Sequence, residues 1–87
     1  MAIVIAKHKV RDYATWLPGY LGDKARREGM GITDIAVGEA TEEPGMAHMV
    51  WDVADPAAMM AMMSDPALQQ MLAESGVISA PEVVVLK

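Results

Sequence analysis

Two segments at the ends of this chain are apolar without alternation, and a small domain has few ways to hide them. Ala2-Ile3-Val4-Ile5-Ala6 and Val83-Val84-Val85-Leu86 have the pattern of strands kept from water on both faces. The rest of the chain supplies only enough helix to cover one face of the sheet they would form. A second copy is the simplest cover for the other face, because symmetric homodimers commonly bury a self-complementary apolar surface. The chain's length sharpens the point. A domain of 87 residues buries only about 60 to 65% of its unfolded surface, yet 53% of these residues are hydrophobic and the mean hydropathy is +0.20.

Local signals set the order of elements. The first strand, about 2–10, ends at Arg11-Asp12, where the Asp12 carboxylate is placed to accept from the free amides of a helix start. Tyr13, Trp16, Leu17, Tyr20, Leu21, Ala25 and Glu28 then recur at helical steps, apolar until the last. Pro18 removes one helical hydrogen bond, so a loose first turn is expected with regular helix from Pro18 onward. Gly29 is the expected left-handed cap and Gly31 a second break.

Residues 32–41 and 46–53 read as a hairpin around Glu42-Glu43-Pro44-Gly45, with Pro and Gly where a type II turn favours them. Asp55-Pro56 and Asp65-Pro66 each pair an N-cap carboxylate with Pro at the first helical position. They predict a second helix broken in two, through Ser64 and then to Gly76. A last strand runs to Lys87. Strand, helix, strand, strand, helix, strand is the α+β, ferredoxin-like βαββαβ plan, with a four-stranded antiparallel sheet and helices on one face. Residues 1–87 are expected to form one domain.

The net charge of -5 and pI near 4.7 disfavour a nucleic-acid partner. Without Cys there is no disulfide or thiolate site, which fits the cytoplasm as the expected compartment. No run is long enough to span a membrane. His48 and Asp52, four residues apart on a strand, lie about 13 Å apart and cannot share a metal, and no cluster has metal-ligand spacing. Lys7 or Lys9 is placed to pair with Asp52 across neighbouring strands. The charges of Asp23-Lys24 and Arg26-Arg27-Glu28 read as a solvated helix face, with an alternative in which the two arginines hold a carboxylate at a pocket mouth.

Strand alternation places Ala47, Met49, Trp51 and Val53 under the helices, with His48, Val50 and Asp52 opposite. Val4, Ala6, His8 and Val10 share the helix side, since Val10 is better buried there than Lys9. His8 is the candidate catalytic residue, a general base whose ordinary pKa lies near neutrality. The competing reading is a hydrogen-bonded structural histidine. Tyr13, Trp16, Tyr20, Met49 and Trp51 are candidate ligand-binding walls, with Met59 and Met63 in a flexible roof. Core packing competes for the Trp residues, and for the Met run it also competes with a soft-metal site.

His8-Lys9-Val10, Asp12-Tyr13, Trp16, Val50-Trp51-Asp52, Ser64-Asp65-Pro66-Ala67-Leu68 and Gly76-Val77 together resemble the small dimeric α/β-barrel proteins related to antibiotic biosynthesis monooxygenases. The resemblance spans nearly the whole chain. It implies two sheets packed face to face into a barrel and a ligand cavity between sheet and helices in each subunit. The fold hosts several chemistries. The function expected is a small-molecule-binding homodimer, either a cofactor-free monooxygenase or cyclase acting on a small aromatic or polyketide-like substrate, or a non-catalytic binding or accessory dimer. The heme-degrading branch uses an Asn, Trp and His set with the His on a helix. This chain has no Asn, and residues 56–76 have no His.

Overall fold

The computed structural model describes residues 2–86, so Lys87, expected at the end of the last strand, lies outside the described residues. Four strands form one antiparallel sheet, β1 (Ala2–Lys9), β2 (Ile32–Glu39), β3 (Met46–Val53) and β4 (Glu82–Leu86), in the order β2-β3-β1-β4. The helices are α1 (Tyr13–Gly22), α2 (Lys24–Gly29), α3 (Pro56–Met63) and α4 (Pro66–Glu74). This is the α+β, ferredoxin-like arrangement that the element order predicts.

The helix starts differ from one another. Asp55 accepts from the Ala58 amide at 3.1 Å and Asp65 from the Ala67 amide at 2.9 Å, and each is followed by Pro, as expected of a helix that restarts. Asp12 does not cap in this way; its carboxylate takes the Thr15 hydroxyl instead. The expected loose turn before Pro18 is also absent. Helix α1 is regular through Pro18 and breaks at Asp23, where the Asp23 amide turns back to the Tyr20 carbonyl. The left-handed residue after α2 is Gly31, at φ +78°, rather than Gly29.

The core lies between the helices and one face of the sheet. Val4, Ala6, His8 and Val10 are buried there beside Ala47, Met49, Trp51 and Val53, the rows that alternation assigns. On the other face, Ile5 pairs with Val50 and Val84, and Ile3 with Asp52 and Leu86. Ile3, Ile5, Val84 and Leu86 remain 37% to 54% exposed. Lys7 makes its ion pair with Glu82 at 3.3 Å and not with Asp52. The register sets Lys7 opposite His48 and Asp52 opposite Ile3, at distant points along β3.

Three backbone bonds secure the end of β1, next to His8. Val10 N–H donates to Gly45 O at 2.7 Å, Arg11 N–H to Gly76 O at 2.8 Å, and Ile78 N–H to Lys9 O at 2.8 Å. Gly45 sits at φ +84° in a turn closed from Met46 N–H to Glu43 O, the value a type II turn requires. A Cβ there would lie 2.9 Å from Val10 O. Gly45→Ala should therefore cost about 1–3 kcal/mol, read as a lower urea midpoint with an unchanged slope.

Candidate functional site

A cavity of about 380 Å³ lies between the sheet and the helices. It is flanked by α1–α2 on one side and α3–α4 on the other. Its floor is His8 on β1 with Met49 and Trp51 on β3, and Ile32 closes one end. One wall is Trp16 and Tyr20 on α1; the opposite side is Met59, Met62 and Met63 on α3 with Leu68, Met71 and Leu72 on α4. Thr15, Asp23, Arg26, Met30 and Ser75 also line it, and Thr15, Arg26, Met30 and Ser75 are exposed where it opens to solvent.

His8 is only 6% exposed. The register sets it opposite Ala47, and these small neighbours leave room for the imidazole to meet Trp16 edge to face, ring centroids 5.3 Å apart. Its Nδ1 is the one buried side-chain polar atom without a hydrogen-bond partner among the described residues. Burial lowers the His8 pKa below its ordinary 6.5, opposed only in part by its own main chain. The ring is therefore neutral at neutral pH, with one nitrogen able to accept a proton.

The aromatic wall is held by a network that sequence reasoning did not find. Trp16 and Tyr20 stack at 4.9 Å. Trp51 Nε1–H donates to the Tyr20 hydroxyl at 2.8 Å, and that hydroxyl donates to Asp34 Oδ1 at 3.3 Å. Arg27 grips Asp34 through Nε at 2.9 Å and Nη2 at 2.8 Å, donates from Nη1 to the Tyr20 carbonyl, and lays its Cζ 3.7 Å above the Tyr20 ring. The solvated-face expectation therefore fails for Arg27, which is 6% exposed. Both arginines line the cavity, and each already pairs with a chain carboxylate, Arg26 with Asp23 through Nε at 2.7 Å. The overlooked signal was Asp34, two residues after Ile32 and on the same face. A carboxylate facing helices requires a cation.

Each partner's ionisation follows from this geometry. The Arg27 hydrogen bond holds Asp34 below the ordinary carboxylate value, against the effect of its own burial. Burial alone would lower the Arg27 pKa, but the bonds to Asp34 and the neighbouring Tyr20 raise it. Tyr20 is pushed up chiefly by burial and stays a neutral phenol.

Seven of the eight residues expected at a site, His8, Trp16, Tyr20, Met49, Trp51, Met59 and Met63, line this one cavity. Tyr13 does not; it packs on the core beside Trp16, 5.8 Å between centroids. One helical step back along α1 from Trp16 carries it past the end of the cavity. His48 lies on the other face of the sheet, its Nδ1 3.3 Å from the Met46 carbonyl. Among the described residues, no three His, Cys, Asp or Glu side chains come together as a metal site, and no helix is long and apolar enough to cross a membrane.

Removing Arg27 would leave Asp34 uncompensated. Arg27→Ala should cost about 2–4 kcal/mol, the lower part of the range for a broken buried pair because Asp34 keeps some solvent contact. Arg27→Lys keeps the charge but loses the fork, and should recover only part of that loss in urea denaturation. Since Asp34 has a lowered pKa, the pair's contribution is present above the ordinary carboxylate value of 3.8 and disappears as pH falls through the lower folded value.

Three solved structures have the same architecture. An antibiotic biosynthesis monooxygenase matches with a TM-score of 0.62 at 17% identity, covering 100% of this chain and 97% of its own. A Deinococcus radiodurans protein described as an antibiotic biosynthesis monooxygenase gives 0.61 at 17%, covering 100% and 91%. An Agrobacterium tumefaciens protein gives 0.59 at 17%, covering 100% and 92%. No protein-family model and no curated protein matches the chain by sequence. At this identity the likeness is one of fold.

Proposed function

We propose that this protein binds a small aromatic or polyketide-like molecule in the cavity beneath its helices, and that His8 acts on it as a general base without a cofactor. One observation carries the reading: a buried, neutral imidazole, that of His8, lines an apolar cavity. Trp16 and Tyr20 give the cavity an aromatic wall along which an aromatic ligand can pack. The methionines can repack around its edge and keep water from a charged intermediate.

In the reaction, His8 takes a proton from an activated carbon or phenol, leaving a carbanion or its enolate. If that anion meets dioxygen at a methylene, the carbon loses two hydrogens and gains one oxygen, and the second oxygen leaves as water. If it meets a carbonyl of the same molecule, a carbon–carbon bond closes a ring and the proton returns from the imidazolium.

Each subunit would pair with a second copy through the helix-free face, burying Ile3, Ile5, Val84 and Leu86 and closing two sheets into a barrel. Light scattering should then give a mass near twice 9.3 kDa, and Ile5→Asp should give monomers.

His8→Leu separates catalysis from binding. Turnover of a quinol or anthrone panel should fall to background while ligand still binds; unchanged turnover would remove His8 as the base and leave the binding-dimer reading. Wild-type activity should be level above pH 6.5 and decline below it, as the lowered His8 pKa requires. Stability follows the same sign. Between the lowered folded pKa and 6.5 the unfolded chain binds more protons at His8 than the folded one, so stability falls as pH drops through that window. His8→Leu should flatten that part of the urea-midpoint profile.

A further inference from the structure

We propose that the cavity selects uncharged ligands: planar molecules of two or three fused rings that carry one hydroxyl or enol to meet His8 and no carboxylate. This rests on the reading of the cavity as a ligand site and adds what that ligand must lack. The volume of about 380 Å³ lies toward the small end of ligand cavities, which run from about 300 to 1,000 Å³, and suits a ligand of that size.

The selection comes from how the charges are already paired. Asp23, Arg26 and Arg27 are the ionised side chains lining the cavity. Arg26 is held by Asp23 at the rim, and Arg27 by both oxygens of Asp34. A ligand carboxylate finds no free cation. To gain one it must displace Asp34, leaving that carboxylate half-buried beside Tyr20, or pull Arg26 off Asp23. Otherwise it enters an apolar space unpaired, which is costly. A cationic ligand has the same difficulty, because both carboxylates are engaged.

His8 supplies the positive half of the selection. The His8 ring that lines the cavity is neutral and offers one donor and one acceptor, so a hydroxyl is complementary and a carboxylate is only half matched. With the hydroxyl at His8, a flat ring system can lie along the Trp16–Tyr20 stack with its far edge beneath Met59 and Met63. This contact also places the acidic proton where a base at His8 can reach it.

Three probes on one ring system test the idea by equilibrium dialysis at neutral pH: naphthalene, 2-naphthol and 6-hydroxy-2-naphthoate. 2-Naphthol should bind wild type tightest, and 6-hydroxy-2-naphthoate at least about tenfold more weakly. In His8→Leu, 2-naphthol should lose about threefold to tenfold and fall to the level of naphthalene. Asp23→Asn frees Arg26 and should improve 6-hydroxy-2-naphthoate relative to 2-naphthol by at least about threefold. Equal wild-type binding of the hydroxylated and carboxylated probes overturns the proposal, as does a 2-naphthol advantage that survives in His8→Leu or a carboxylate penalty that Asp23→Asn does not reduce. If none of the three probes binds, the ligand-site reading falls first and the selectivity with it. Binding in the predicted order without turnover of the quinol panel upholds the selectivity and removes only the catalysis.

Discussion

The structure is built around one sheet face that four short helices must cover. Val4, Ala6 and His8 in β1, with Val10 just beyond its end, lie beside Ala47, Met49, Trp51 and Val53 in β3 to form that face. Trp16 on the aromatic α1 and Met59 on the methionine-bearing α3 are buried in the core over that face. The space left between these helices and the sheet is the cavity. Long flexible side chains partly fill it, so it can adapt to a guest at small cost in packing.

The Arg27–Asp34 pair shows how a small domain can bear a buried ion pair. An isolated buried pair roughly offsets its own desolvation cost. This one is bidentate and shared with the Tyr20 carbonyl, ring and hydroxyl, so its geometry fixes three elements at once. It ties α2 to β2 and locks Tyr20 against Trp16 and Trp51. The irregularity in β2 between Asp34 and Ala36 belongs to the same device. The extra residue, Ile35, resets the alternation so that both Asp34 and Val37 face the helices.

The fold is shared with proteins described as antibiotic biosynthesis monooxygenases at 17% identity, and a shared fold does not assign a reaction. What this chain adds is local: one imidazole without a partner in a cavity whose charges already neutralise each other. The proposed neutral aromatic guest and proton abstraction rest on that combination.

Much of this architecture was legible in the chain. The unalternating end strands, the two Asp-Pro helix starts and the 43–46 turn are local signals, each set by the stereochemistry of a few neighbouring residues. Period-two alternation also assigned His8, Met49 and Trp51 to one side of the sheet, which brought most of the candidate site together. The Pro18 expectation failed because packing of α1 on the sheet outweighs one lost hydrogen bond. The partner of Lys7 depended on register, which is a relation between strands. Arg27 looked like one charge among several until Asp34 was set across from it by the turn at Gly31. The sequence by itself determined which elements form and which side chains share a face, because those follow from short-range periodicity. Only the tertiary structure decided which charges are spent on each other and which nitrogen is left unpaired, because those depend on contacts between residues that no local pattern connects.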